Sequence, residues 1–168
     1  MWETAGKVIL EKLIGEVTRI IGDALKGIGE KGEIFDHSEA NIEELPYKGK
    51  TIRRLDVSAA KIGAINIENG KLNKVDASAS EIRKLNAINA KINLLDVSNS
   101  KIEKLDINGA VINILDASGA NISVFNIRNT KIIDLDISNA TIDVMIGLKN
   151  SEIALPPDTS KATIKKVI

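Results

Sequence analysis

The sequence predicts an all-β solenoid, a parallel β-helix with about 20 residues per coil, preceded by one amphipathic α-helix. Two patterns carry this prediction. A ten-residue repeat runs without a register slip through residues 60–139, and a broad apolar stripe at helical spacing lies within residues 4–28. Composition adds a third observation, because 43% of the residues are hydrophobic and only 2% are aromatic. The core is therefore expected to be aliphatic.

The N-terminal segment, residues 1–33, is predicted to be an amphipathic helix followed by a glycine-rich linker from residue 26. Its apolar stripe comprises Leu10, Leu13, Ile14, Val17, Ile20, Ile21, Ala24 and Leu25. Gly15, Gly22 and Gly29 recur every seven residues, which suggests close approach by another surface. Three roles are open for this helix: a cap over the first coil, a helix–helix dimer, or a membrane-surface helix with Trp2 at the interface.

The solenoid is predicted for residues 34–148. Four positions of each ten are constrained: the first is small, the third is Ile or Leu, the sixth is large and apolar, and the eighth is aliphatic. Inward residues two apart are typical of an extended chain, and the residues between such pairs turn a corner. A coil of ten residues would be too narrow, because opposing sheets need about 10 Å between them. A coil of twenty with four short faces fits.

Ala120-Asn121-Ile122, Ala40-Asn41-Ile42 and the repeated Leu-Asp-Ile/Val-Ser units resemble the pentapeptide-repeat family over residues 35–145. The resemblance implies a right-handed quadrilateral β-helix, often dimerised end to end. Some members imitate DNA and bind topoisomerases, a role that calls for an acidic surface; here Lys+Arg and Asp+Glu both number 23. Leucine-rich repeats are the rival interpretation. They need 20 or more residues per repeat, including a convex return segment, and a ten-residue period leaves no room for that segment.

Twenty residues per coil would stack equivalent side chains in columns about 4.8 Å apart. One column would contain Asp56, Asp76, Asp96, Asp116 and Asp136, and a second Asn66, Asn86, Asp106 and Asn126. Each of the five aspartates is followed two residues later by a serine, which predicts an Asx-turn at a corner of the coil. A ladder of cation sites is the alternative.

Outward-facing apolar residues form the candidate interaction site, which consists of Leu94, Val111, Ile114 and Ile133 on one face of three successive coils. This face is predicted to be a self-association or partner surface, or to be covered by a terminal segment of the chain. The second candidate is the helix face of Leu10, Leu13, Ile14, Val17, Ile21 and Leu25. Leu155-Pro156-Pro157-Asp158 is expected to stop the coil, and residues 149–168 to form a C-terminal cap or edge strand.

These patterns predict a protein that is not an enzyme. The chain has no cysteine and one histidine, His37, which is expected to be a corner residue; it has no glycine-rich phosphate loop, and no cofactor or metal is expected. A filled aliphatic core leaves no substrate cleft. We expect a cytoplasmic scaffold that binds an unidentified protein partner, associates as a homodimer, and does not bind nucleic acid. A filament-forming or membrane-associated structural protein is the alternative.

Overall fold

The computed structural model describes residues 6–26, 28 and 31–168, and within the helix the side chains of residues 15, 16 and 18–25. One helix, α1 (Gly6–Leu25), precedes a parallel β-solenoid of about seven turns. A 3₁₀ turn spans Leu148–Asn150. The strands are β1 (Glu33–Asp36), β2 (Asn41–Pro46), β3 (Thr51–Asp56), β4 (Lys61–Asn66), β5 (Lys71–Asp76), β6 (Glu81–Asn86), β7 (Lys91–Asp96), β8 (Lys101–Asp106), β9 (Val111–Asp116), β10 (Asn121–Asn126), β11 (Lys131–Asp136), β12 (Thr141–Ile146), β13 (Glu152–Ile153) and β14 (Thr163–Val167).

The strands form two seven-stranded parallel sheets. The odd sheet has the order β1-β3-β5-β7-β9-β11-β13, and the even sheet runs from β2 to β14 through the even-numbered strands. Asp76 pairs with Asp56 on one side and with Asp96 on the other, so one coil takes twenty residues. The predicted fold class and the predicted aspartate column are confirmed.

Each coil has four short faces because its strands bend in the middle. In β3, Ile52 and Leu55 are buried while Arg53 and Arg54 between them face outward. Two consecutive outward side chains break the alternation of a straight strand, so the chain changes direction there. Between strands a tight turn makes the other corners: the Ala60 N–H donates to the Val57 carbonyl at 3.2 Å, and Ala59 has a φ of 53°.

These turns place one residue of every ten in the left-handed region, as a type II turn requires at its third position. Asn and Gly, which tolerate positive φ, occupy most of these positions: Asn69, Asn89, Asn99, Gly109, Gly119, Asn129 and Asn139. Ala59 and Ala79 occupy two others, at φ 53° and 54°. Their side chains are exposed and contribute nothing to the core, so these two positions are locally strained.

Ala79→Gly is expected to stabilise the protein. The change removes the strain of an alanine in the left-handed region, about 1–2 kcal/mol. Glycine also makes the unfolded chain more flexible, which costs about 0.4–1 kcal/mol, so the net gain in stability is about 0.5–1 kcal/mol. The matched control is Ala64→Gly in β4, which has no positive φ and should lose about 0.5–1 kcal/mol. Denaturant unfolding measures both changes, and a loss of stability in Ala79→Gly would contradict the strain at this turn.

The interior is a continuous aliphatic column. Leu95, Leu105, Leu115 and Phe125 are completely buried, and the buried small residues Ala90, Ala110 and Ala120 lie at the corners. The buried hydroxyls are satisfied, since Ser100 and Thr130 donate to the carbonyls of Val97 and Ile107. Among the described residues no buried side-chain nitrogen or oxygen lacks a hydrogen-bond partner. The solenoid is therefore packed solid rather than hollow.

The solenoid continues past the point where the sequence was expected to stop it. Glu152 pairs with Lys131 and Asp158 with Asp136, so the coil length rises from twenty to twenty-one and then twenty-two residues. One extra residue lies in the 3₁₀ turn and another in Leu155-Pro156-Pro157. After the prolines, β14 pairs with β12, which confirms the predicted edge strand. Pro156 and Pro157 thus lengthen the coil and do not end it.

Helix α1 lies against β7, β9, β11 and β13, on the outer face of the odd sheet. The prediction that it caps the first coil is therefore wrong for the part of the helix that the structure describes. Ile21 is fully buried there with Ala154, and Leu25, Val111 and Ile133 pack around them. The described part of the helix stripe therefore packs on outward apolar residues of the odd sheet.

Candidate interaction surfaces

The four outward apolar residues come together, as the sequence predicts, on the odd sheet. Leu94 and Ile114 are neighbours in the β7–β9 register. Val111 and Ile133 pack beneath α1 against Ile21 and Leu25, so a terminal segment covers half of this face. Ile114 remains 39% exposed. The part of the patch left free is the small area around Ile114.

The helix itself is described only in part. Ile21 is buried and Leu25 half-buried, whereas the side chains of Leu10, Leu13, Ile14 and Val17 lie outside the described residues. No atom lies within 4 Å of the position that a Cβ would take at Gly15 or Gly22. The close approach expected at these glycines is therefore absent at both described positions, and Gly29 lies outside the described residues.

The aspartate column builds the corners of the coil. The Asp96 carboxylate accepts hydrogen bonds from the Ser98 N–H at 2.9 Å and from the Ser98 hydroxyl at 2.6 Å, and Asp116 with Ser118 repeats this geometry. Hydrogen bonds to a charged group contribute about 1.5–3 kcal/mol each, more than the roughly 1 kcal/mol repulsion between neighbouring carboxylates in water. The predicted Asx-turn is confirmed.

The column extends beyond the five aspartates that the sequence analysis assigned to it. Asp36 with Ser38 opens it in the first coil, and Asp158 with Ser160 closes it in the last. The shared Asp-x-Ser pattern was the available signal for both ends. Within the described residues no group of three or more His, Cys, Asp or Glu side chains is arranged to hold a metal ion.

Asp56 keeps its charge although its side chain is largely buried. Burial raises the pKa of its carboxyl. Hydrogen bonds from Ser58 and the nearby Arg54 guanidinium lower the pKa by more than burial raises it, so the pKa lies below its usual value. Arg54 donates to the Asp56 carboxylate at 2.7 Å, and Lys74 pairs with Asp76 at 3.6 Å. Basic side chains two residues earlier in the chain therefore flank these two aspartates of the column.

A ladder of asparagine side chains was missed by the sequence analysis. The Asn93 amide donates to the Asn73 carbonyl oxygen at 3.1 Å, and the Asn113 amide donates to Asn93 at 2.9 Å. The signal was present in the sequence as three asparagines spaced by twenty residues. Such ladders tie successive coils together on the outer face and leave little room for a ligand.

An open groove lies on the even sheet around Gly63. Its volume is about 460 Å³, and its walls are formed by Glu43, Lys61, Glu81 and Arg83, among others. Arg83 bridges to Glu43 across the glycine, and Lys61 pairs with Glu81 at 3.6 Å. Two pairs of charged side chains in the groove therefore neutralise each other, and Lys101 and Glu103 also line it.

The first coil contains an aromatic cluster. Phe35 stacks on Tyr47 with 4.4 Å between ring centroids, and His37 Nε2 and Tyr47 Oη share a hydrogen bond of 2.7 Å. Burial, followed by the charge of Glu33, raises the pKa of Tyr47, so the phenol stays protonated. His37 is equivalent to the inward residue Val57, since both N–H groups donate to the next coil in the same way. The Ala40 N–H also donates to the His37 carbonyl at 3.1 Å, so His37 lies in a corner turn, as expected, and occupies the inward position of that corner.

Both end coils leave apolar side chains exposed. Of the five large hydrophobic residues that are exposed in the described chain, four lie in the first or last coil: Ile34, Leu155, Val167 and Ile168. The outer edges of β2 and β14 have no strand partner among the described residues. Exposed apolar side chains beside an open strand edge are typical of a surface that pairs with another chain.

Comparison with known proteins adds no further constraint. The chain matches no protein-family model, no curated protein and no solved structure. In the described part of the chain, no helix is long and apolar enough to cross a bilayer. The geometry above is therefore the basis for a functional assignment.

Proposed function

We propose that this protein is a non-enzymatic β-solenoid scaffold that mediates protein–protein interaction and associates with copies of itself. The observation that carries the proposal is the exposure of apolar side chains beside open strand edges at both end coils. The solid aliphatic interior supports it, because it leaves no enclosed site for a substrate. The groove near Gly63 is open and lined by charged side chains of both signs, which suits a solvated surface better than a catalytic one.

We also infer that the chain is a divergent pentapeptide-repeat protein that works in the cytoplasm. The twenty-residue coil and the pairs of inward residues support the family assignment. The sequence departs from the family's pattern in two ways: isoleucine replaces Leu or Phe, and a large residue occupies every second small position. The absence of cysteine suits a reducing compartment. The balanced charge disfavours the DNA-mimicking role known in that family.

Self-association is tested by sedimentation velocity from about 5 to 500 μM, a range suited to the weak affinity of small interfaces. The mass is expected to rise with concentration above the 18.1 kDa of one chain. The Ile114→Lys variant places a charge on the free part of the side patch and should associate as the wild type does. A constant mass of one chain at every concentration would refute self-association. Loss of association in the Ile114→Lys variant alone would move the interface to the side patch.

A further inference from the structure

The first and last coils present the two opposite hydrogen-bonding edges of the same parallel sheet. Within the part of the chain that the structure describes, β14 has no neighbour on the side where a further coil would lie, and β2 has none on the side where a preceding coil would lie. Because every strand in a sheet is parallel to the next, a second copy could add its first coil to the last coil of this one without changing direction. Helix α1 lies on the outer face of the odd sheet, away from the first coil.

We propose that copies of this chain associate head to tail, with β2 of one copy continuing the even sheet beyond β14 of another. The inference rests on the proposed self-association and specifies its surface, partner and register. Each coil column continues across the junction: Asn41 opposes Thr163, Ile42 opposes Ile164, Glu43 opposes Lys165, Glu44 opposes Lys166, and Leu45 opposes Val167.

The charges of the two ends are complementary in this register. Residues 33–50 carry five acidic side chains and two lysines, whereas residues 149–168 carry four lysines and two acidic side chains. Glu43 and Glu44 are exposed on β2, and Lys165 and Lys166 are exposed on β14. Glu43 also pairs with Arg83 and Lys165 with Asp143 at 2.7 Å within the chain, so Glu44 and Lys166 supply the main complementary pair. Opposite charges directly across parallel strands stabilise the pairing, and like charges destabilise it.

A third pair lies at the corner that follows the aspartate column. Lys161 occupies the left-handed turn position of the last coil, and Glu39 occupies the equivalent position of the first, with φ values of 56° and 58°. In the stack their side chains would lie in one column. Their opposite charges therefore extend the complementarity from the sheet to the turn.

The apolar residues also match. Ile42 and Leu45 face inward on the first coil, and Ile164 and Val167 occupy the equivalent positions on the last. Ile34 and Leu155, both exposed, fall at neighbouring positions along the odd sheet. Stacking would bury Ile42, Ile164 and Val167 as the coils inside the solenoid bury their inward residues, whereas Ile34 and Leu155 would be neighbours in the outward column of Leu94 and Ile114.

Pro46 is compatible with this arrangement. At the equivalent place in the last coil, the Ile168 N–H donates to the Met145 carbonyl of the preceding coil at 2.9 Å. Pro46 has no N–H to donate, which suits an edge strand with nothing before it. In the stack it removes one donor from the ladder and leaves the other N–H groups of β2 in place.

Symmetric pairing of like ends is disfavoured by the same charges. Two first coils would bring the glutamates of β2 together, and two last coils would bring the lysines of β14 together. A head-to-tail contact joins two different surfaces. It closes into a ring only if each copy is rotated relative to the one before it, and otherwise gives an open series. The expected assembly is therefore a linear series, in place of the homodimer expected from the sequence.

Charge reversal at one end at a time tests the pairing. The tail variant carries Lys165→Glu and Lys166→Glu, and the head variant carries Glu43→Lys and Glu44→Lys. Each variant alone brings like charges together, so its association constant should fall at least about tenfold, measured by sedimentation velocity. An equimolar mixture restores opposite charges at every junction and should recover the wild-type size distribution. Recovery on mixing also shows that both variants are folded.

Cysteine pairing tests the register, because the natural chain has no cysteine. A Glu44→Cys/Lys166→Cys variant places two thiols in one column on adjacent strands, where the spacing of about 4.8 Å lies within disulfide range. Mild oxidation should give a ladder of covalent multimers on a non-reducing gel. The control, Glu44→Cys with Lys161→Cys, places the thiols in different columns and should give no ladder.

The outcomes separate the two proposals. If the wild type associates but both charge variants associate equally well alone, the head-to-tail register is wrong while self-association stands. Failure of the mixture to recover while each variant keeps its wild-type melting temperature would also overturn the register. A wild type that stays monomeric throughout would overturn both.

Discussion

Phe125→Ala is expected to lower the free energy of unfolding by about 3–5 kcal/mol. Phe125 is completely buried and is the largest such side chain in the solenoid. It lies between Leu105 and Met145 in one inward column of the even sheet, so its loss leaves a cavity that neighbours on rigid coils cannot fill. Urea unfolding monitored by circular dichroism measures the change.

The effect should be local, because each coil contacts only the coils next to it. Amide hydrogen exchange in the Phe125→Ala variant should lose protection in β12 and β14 before it does in β4 and β6. Phe125→Leu is the matched control, since Leu105 already occupies the same column, and it should cost less than about 1.5 kcal/mol. Equal losses in the two variants, or uniform loss of protection along the chain, would contradict a stacked, locally packed core.

Much of this architecture could be predicted because the repeat encodes two features at once. The third and sixth residues of each ten specify which side chains face inward, and the Asp-x-Ser units specify where the chain turns. Asp76 and Asp96 are neighbours for this reason, and the Asx-turns at Ser98 and Ser118 follow from it. A periodic pattern fixes every register together, so eight matching repeats left little freedom.

The C-terminal coil escaped prediction for the converse reason. A single extra residue in a turn shifts every later position out of the expected column, and here one is added near Leu148 and another at Pro156. Asp158-Thr159-Ser160 repeats the corner pattern, yet it stands two residues out of step. Periodicity alone cannot follow such insertions, whereas hydrogen bonding in three dimensions accommodates them.

The position of α1 could not be derived from its apolar stripe or from the outward apolar residues of the sheet alone. Its apolar face and the outward residues Val111 and Ile133 were each recognisable, but the open first coil was a competing apolar surface. In the structure an aromatic cluster of Phe35, His37 and Tyr47 occupies that first coil. The choice between two apolar surfaces depends on shape, which sequence spacing does not contain.

Gly147→Ala is expected to cost about 1.5–4 kcal/mol, because two separate penalties fall on one residue. Gly147 has a φ of +82°, where replacing glycine by alanine costs a net of about 0.5–1 kcal/mol, as at residue 79, and its Cβ would lie 2.5 Å from the Arg128 Cα, an overlap that adds about 1–3 kcal/mol. At this residue the chain leaves the regular corner and enters the 3₁₀ turn that leads into the last coil. The strain should therefore loosen β14 and its pairing with β12.

Gly49→Ala isolates the first penalty from the second. Gly49 has a similar φ of +72°, but no neighbouring atom lies within 4 Å of its prospective Cβ, so its replacement should cost only about 0.5–1 kcal/mol. Thermal and urea unfolding of the two variants give the comparison. Equal losses would mean that backbone conformation alone decides both sites and that the last coil does not crowd Arg128. A larger loss at Gly147 shows that close packing between successive coils, as well as the turn, holds the end of the solenoid in register.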